Sequence, residues 1–422
     1  MKIPLVVLAL LITASIASPS RAEQWTQFRG PDFGRTTATD VVESWDTDAI
    51  AWKSPIEGRG ASSPVVFDGR VYLTAFTGYA VDTKSPGDPT QLVRHLLCFD
   101  LKTGDPLWQR SIADDTEKDT FTNWGTAKAG YASSTAAVDE SGVYVLFGAT
   151  GVVAYSHDGE KRWTTFVGDD VHPYPGGSSP VLYKNLVIVN ASYQCGDLIA
   201  LQKSDGSEAW RQEDLKEAWN TPVVYQSLSG EEELAVSAMG EIRAVDPQTG
   251  ELRWTCKGID QYICPSLIVE KGILYAIGGK QGKAMAVRSG GSGDVTETHR
   301  LWETNKGANV SSPVFHDGYL YWAKDKGGIL YCLDAETGEL EYEKRTRPSP
   351  KEVYATPLLT DGKLYYVSRE NGIFVVAATP EFKLLAHTEL DDDSLFAASP
   401  VPLPGGSVLL RSDQFLYRLD PK

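Results

Sequence analysis

Short apolar runs recur along this chain in pairs, each pair joined by a turn that tolerates positive φ. Val65-Val66-Phe67, then Asp68-Gly69, then Val71-Tyr72-Leu73 is one example. Asp317-Gly318, Asp361-Gly362 and Lys271-Gly272 stand at the same place in others, and such dipeptides suit tight hairpins between strands. A small-small-Pro step opens each pair: Ser62-Ser63-Pro64, Ser133-Ser134-Thr135, Ser178-Ser179-Pro180, Asn220-Thr221-Pro222, Ile263-Cys264-Pro265, Ser311-Ser312-Pro313, Ala355-Thr356-Pro357 and Ala398-Ser399-Pro400. From the second step to the last the spacings are 45, 42, 43, 48, 44 and 43 residues. That period, filled with short strands, fits one four-stranded propeller blade per unit, each unit burying its apolar face against its neighbours. The pattern therefore predicts an all-β chain folded as an eight-bladed propeller.

A second landmark lies between the inner and outer runs. Phe99-Asp100-Leu101-Lys102-Thr103-Gly104-Asp105-Pro106-Leu107-Trp108 returns as Val245-Asp246-Pro247-Gln248-Thr249-Gly250-Glu251-Leu252-Arg253-Trp254, and again as Leu333-Asp334-Ala335-Glu336-Thr337-Gly338-Glu339-Leu340-Glu341-Tyr342. The Asp can bond backbone amides and the Gly can go left-handed, so the segment is a turn. The aromatic that follows falls on the outer strand. Trp52, Trp108, Trp163, Trp210, Trp254, Trp302 and Tyr342 are accordingly expected to wedge between blades, burying area and finding a partner for the polar tip. The last unit, ending Phe415-Leu416-Tyr417-Arg418-Leu419-Asp420, lacks an outer strand of its own. Ala49-Ile50-Ala51-Trp52-Lys53 can supply it, which predicts a ring closed by pairing of the N- and C-terminal strands, with no open edge.

The segment small-x-Asp-x-x-Thr-Gly-x-x-x-Trp resembles the pyrroloquinoline quinone (PQQ) repeat of the quinoprotein alcohol dehydrogenase-like propellers, some of which have lost the cofactor. Ser156 and Gln202 replace the Asp in the units closing at Trp163 and Trp210, and the units near Ala386 and Asp420 match weakly. The opening Trp25-Thr26-Gln27-Phe28-Arg29-Gly30-Pro31 and the loop Gly290-Gly291-Ser292-Gly293-Asp294-Val295-Thr296 also resemble secreted bacterial members. In quinoprotein dehydrogenases the resemblance implies a Trp floor beneath a disulfide of adjacent cysteines, a calcium ion held by carboxylate and amide groups, and an Asp base. No two cysteines are adjacent here, and the long insertions that wall in such a site are missing. The fold carries over and no catalytic residue does, so neither PQQ nor calcium is expected.

Met1-Lys2, the run Leu5 to Ile12 and Ser20-Arg21-Ala22 read as a secretory signal over residues 1–22, with 23–422 as one propeller. Export to the periplasm or the extracellular space follows. No cysteine follows the apolar core, so lipid attachment there is not expected, and no other run is long enough to span a bilayer. The formal charge of −16 argues against nucleic acid or anionic lipid as partners. Cys98 and Cys332 occupy the slot filled elsewhere by Ala154, Ala200 and Ala244, where a thiol is a packing group. Cys256 and Cys264 fall on strands too far apart to bridge by the repeat.

Chemical motifs are missing from the sequence: there is no zinc, haem or nucleophile-elbow signature among its His, Cys and Ser residues. The loop at 290–293 is expected to open no helix, which removes a phosphate cradle. His172 reads as a surface-loop residue, and Asp391-Asp392-Asp393 as a solvated run.

What the pattern does single out is one rim. Residues before each small-small-Pro step ring the mouth of the channel: Arg59-Gly60, Tyr131, Gly176-Gly177, Trp219, Tyr262, Asn309, Tyr354 and Phe396. The first spacing is 71 residues, because insertions at 77–95 and 111–130 fall on this same face, bringing Trp124 over the mouth. Aromatics and insertions on one face mark a working side. A binding surface and a plug of stacked rings both suit the placement. Two functions follow: a non-catalytic binding or scaffold module, acting as a monomer on a protein, peptide or glycan, or else a PQQ-dependent alcohol or sugar dehydrogenase or a degenerate relative.

Overall fold

The computed structural model describes residues 24–37, 40–82, 84–113, 130–170, 174 and 176–421. The expected signal segment, most of the second insertion including Trp124, and His172 lie outside them.

Eight antiparallel sheets form the ring. Blade 1 runs from the inside out as Val65–Phe67, Arg70–Thr77, Val93–Asp100 and Pro106–Ala113. Blades 2 to 7 repeat the order over 137–165, 181–212, 223–257, 268–304, 314–345 and 358–388. Blade 8 takes Val401–Pro402, Val408–Arg411 and Phe415–Leu419 from the C-terminus and Ile50–Pro55 from the N-terminal side. Trp52 pairs with Arg418, Lys53 with Tyr417 and Ser54 with Leu416. The ring is thus closed by its two ends, as the pattern predicts.

Every outer strand carries a register shift at one repeat position, between Cys98 and Phe99 in blade 1 and between Ala200 and Leu201 in blade 3, for example. A bulge there twists the strand and turns its aromatic toward the next blade. The ring of Trp163 lies so close to Gly206 that a Cβ built there would sit 2.6 Å from it, and Gly206 has φ +75°. Trp52 meets Gly104, Trp210 meets Gly250 and Trp302 meets Gly338 in the same way. In several blades the indole N–H then finds a turn carbonyl of the next blade: Trp163 donates to Lys203 O at 2.9 Å, Trp302 to Ala335 O at 3.0 Å and Trp210 to Pro247 O at 3.2 Å. The expectation of a partner for each polar tip fails at Trp52 Nε1 and the Tyr342 hydroxyl, which are buried without a hydrogen bond. The turn is held by its Asp, as where Asp334 accepts from the amides of Glu336 and Thr337 at 2.9 and 2.8 Å.

Blade 4 departs from this rule. Gly293–Asp294 pairs in parallel with Trp254 and Thr255 as a fifth strand, and a one-turn helix, Thr296–His299, follows it. The expectation that this loop opens no helix is corrected to that extent. Covered by the added strand, Trp254 is fully buried and donates instead to Glu233 at 3.0 Å. Tyr342 of blade 6 packs edge-on to Phe382 at 5.2 Å.

Around the axis the blades are stitched by hydroxyls. The Ser63 amide donates to Thr135 Oγ1 at 2.9 Å, and the amides of Thr135, Ser179, Thr221, Ser266, Thr356 and Ser399 donate to Ser179, Thr221, Ser266, Ser312, Ser399 and Ser63 at 3.0 Å. Between blades 6 and 7, Ser311 Oγ donates to Ala355 O at 2.9 Å. This annulus corrects the register in units 2 and 5. The repeating residues are Thr135 and Ser266, and the steps there are Ser134-Thr135-Ala136 rather than Ser133-Ser134-Thr135 and Pro265-Ser266-Leu267 rather than Ile263-Cys264-Pro265.

Just past the annulus along the inner strands, residues 25–36 cross the channel. The Trp25 amide donates to Val66 O at 3.0 Å, Val138 N to Thr26 O at 2.9 Å and Thr36 N to Leu359 O at 3.0 Å. Arg29 is buried with no carboxylate bonded to it. Its guanidinium donates to Leu267 O at 2.8 Å, Phe33 O at 3.0 Å and Pro313 O at 2.7 Å. Burial pushes its pKa down to about 9, which leaves it charged at neutral pH.

Candidate functional site

At the opposite end of the annulus lies the mouth, built by the connections that enter each inner strand. Neighbouring connections bond to one another, as where the Trp219 amide donates to Ile263 O at 2.7 Å. The rim residues separate into three groups.

Trp219 and Tyr262 stack edge to face at 5.8 Å, and Tyr193 stands 6.5 Å beyond Trp219. All three are half-buried. They form one ledge across blades 3 to 5, continued by Asn309 and Tyr354. Burial raises the Tyr262 hydroxyl, Asn309 pulls it back, and Cys264 and Asp325 push it further up. Tyr354, with the Arg369 guanidinium 4.6 Å over its ring, is pushed up to about 12 by burial. Cys264, between these rings in sequence and charge field, is likewise pushed up to about 12 by burial and then by Asp325.

Tyr131 and Phe396 turn inward. Tyr131 is 7% exposed and packs on Phe76 at 5.5 Å and Tyr79 at 6.0 Å, closing the base of the first insertion. Phe396 is 3% exposed, against Tyr417 at 5.9 Å. Arg59 belongs to a third group, bridging to Phe76 through the backbone and to Asp413 by an ion pair. Among the described rim residues, the rings of the ledge are half-buried where Tyr131 and Phe396 are buried. Tyr193, which completes it, sits after a strand rather than before a small-small-Pro step, so the repeat register does not point to it. Gln194, beside it, is equally silent in sequence.

Two further sequence readings find their place. All five cysteines are free. Asp392 is not solvated: it is held by Lys53 at 3.1 Å and accepts from the Ser394 amide at 2.7 Å.

Residues 93–305 and 292–380 match the family model described as outer membrane protein assembly factor BamB. The chain belongs to this family. A BamB of Yersinia pestis is 23% identical over 268 residues, 60% of this chain and 63% of the relative. That of Moranella endobia is 24% identical over 262 residues, 59% and 62% of the two chains. The match therefore spans less than two thirds of these relatives' own length. Among solved structures, BamB from Moraxella catarrhalis superposes with TM-score 0.54 at 15% identity, covering 92% of this chain and 98% of that one. Quinohemoprotein alcohol dehydrogenase from Comamonas testosteroni gives 0.65 at 12%, covering 96% and 82%. A europium-containing methanol dehydrogenase gives 0.65 at 13%, covering 93% and 90%. At these identities the shared property is the PQQ-repeat propeller fold.

In this BamB-family chain no two cysteines are adjacent, as the resemblance to quinoprotein dehydrogenases would have them. The thiols are separate and free. Among the described residues no three His, Cys, Asp or Glu side chains gather to hold a metal ion. The mouth offers rings and hydroxyls, which can stack on and hydrogen-bond a ligand, together with the Arg59–Asp413 pair and the Arg369 guanidinium.

Proposed function

We propose that the chain is an exported, non-catalytic binding or scaffold module, working as a monomer outside the cytoplasm, whose partner docks on the mouth. The ledge of Trp219 and Tyr262 carries this reading. Half-buried rings already held edge to face are rigid anchors, so a partner gains contact area at small entropic cost. Membership of a family described as outer membrane protein assembly factor supports a scaffold role, and the negative balance of charge speaks against nucleic acid. Arg59, Asn309 and Tyr354 extend the surface around the ledge; Trp124 joins them if the second insertion lies over the mouth.

A photo-crosslinker at position 262 is expected to label a partner in exported extract, with labelling lost in Trp219→Ala. Reconstitution with PQQ and calcium is the opposing arm. A bound absorbance band with dye reduction by alcohols would replace the scaffold reading with an oxidoreductase.

A further inference from the structure

The crossing segment shows how this channel takes up an extended chain. Two residues past the step that opens each blade, the inner strand turns an N–H and a C=O toward the axis. In blade 1 the Val66 amide donates to Trp25 O at 2.9 Å, and Val66 O accepts from the Trp25 amide at 3.0 Å. In blade 2 the Val138 amide donates to Thr26 O at 2.9 Å. In blade 7 the Leu359 amide donates to Gly34 O at 2.9 Å, and Leu359 O accepts from Thr36 at 3.0 Å. Blade 8 has Pro402 at this position and so presents no N–H.

Blades 3 and 4 have Leu182 and Val224 there. Leu182 stands opposite Val187 and Val224 opposite Leu234, as Val66 stands opposite Val71, so by the alternation of an antiparallel ladder their N–H and C=O also face the axis. Among the described residues no backbone group bonds them. Both residues are half-buried, and both line a half-open pocket of about 90 Å³ between these strands and residues 27–31 of the crossing segment. Pro31, on its wall, is exposed on the face away from the mouth. An unpaired strand edge is a template for another chain, and here the protein's own segment already uses the same edge in three other blades.

Charge says which part of a chain fits. Arg29 also lines the pocket, its guanidinium held by three carbonyls and by no carboxylate. The nearby carboxylates of Asp32 and Glu270 are both taken by Arg35, each at 2.6 Å. No Asp or Glu stands among the described lining residues. A buried cation without a bonded counter-ion favours an anionic group beside it. The middle of a peptide would pair the strand edges and leave that charge unmatched, whereas a terminal residue supplies an N–H, a carbonyl and a carboxylate together. We infer that this pocket captures the C-terminus of an extended peptide from a partner, its backbone bridging to Leu182 and Val224 and its carboxylate lying in the field of Arg29. The volume admits one small residue at the end.

The test is calorimetric titration of the full chain with acetyl-Gly-Ala and acetyl-Gly-Ser as free acids, with the same two peptides as C-terminal amides, and with acetate. At least one acid is expected to bind saturably, and its amide about tenfold or more weakly. Leu182→Pro and Val224→Pro each remove one axis-facing N–H by placing there the residue that blade 8 carries at 402, and each is expected to weaken the acid about tenfold. Should one of them fail to fold, the other decides, and the comparison of acid with amide needs no variant. Binding by neither acid, equal binding of acid and amide, acetate binding as tightly as the peptides, or binding indifferent to the folded proline variants overturns the inference.

Discussion

At the residue scale the fold is set by where a flat ring meets a missing side chain. Gly206 and Gly69 both have left-handed backbone, φ +75° and +71°, but the space at Gly69 is open and that at Gly206 is filled by Trp163. Gly69→Ala should therefore cost only the left-handed penalty, about 1 kcal/mol, whereas Gly206→Ala adds overlap with the ring, about 2 kcal/mol more. Denaturant unfolding of the two variants side by side checks the difference, and equal costs would mean the blades are not held by this contact. The Gly-x-x-x-Trp spacing marked a left-handed turn and a ring wedged between blades but not their meeting, because Gly206 and Trp163 belong to successive units. The hydroxyl annulus was only partly legible. Proline follows the hydroxyl residue in most units but precedes it in unit 5, so an alignment on proline puts the repeating position at Cys264, two residues short of Ser266.

At the scale of the blade, buried polar groups mark where the repeat departs from its average. His95 ties the rim end of blade 1, where the first insertion leaves, to Thr77 Oγ1 and Ser111 Oγ, each at 2.8 Å. Burial holds its pKa below the ordinary value, with Glu57 pulling the other way. A base whose folded value is depressed contributes stability that is present above its unfolded value, near 6.5, and lost as the pH falls. The unfolding midpoint is accordingly expected to drop between pH 8 and pH 5 by more in the natural chain than in His95→Gln. Blade 4 holds the other case. Glu233, 2% exposed, accepts from the hydroxyl of Tyr225 and the indole of Trp254. Glu233→Leu strands both donors, and a loss of about 2 to 5 kcal/mol in chemical unfolding is expected. Neither blade-level feature could be read from periodicity. A two-residue added strand such as Gly293–Asp294 is too short to show a pattern, and its effect on Trp254 is purely tertiary.

At the scale of the whole ring, two separate devices stop it from opening. One is the pairing of Ile50–Pro55 with Phe415–Leu419, which the sequence foretold because the last unit is short of a strand. The other, the crossing by residues 25–36, was invisible: Trp25 to Pro31 has no period, and only packing shows that Arg29 reaches carbonyls on blades 5 and 6 while its neighbours bond to blades 1, 2 and 7. The two devices are separable by experiment. Arg29→Leu leaves the terminal strands paired but removes a guanidinium from three buried carbonyls, so it should lower stability by about 3 to 5 kcal/mol while the protein stays monomeric. Ala51→Pro with Lys53→Pro breaks the outer strand of blade 8 while leaving residues 25–36 in place, and uncovers the edge of Phe415–Leu419, whose backbone groups then seek another chain. Size-exclusion chromatography should show that double variant associating where Arg29→Leu does not. If instead Arg29→Leu associates as readily, the ring depends on the crossing segment to keep its ends in register, and the terminal strand pair holds only what that segment has already brought together.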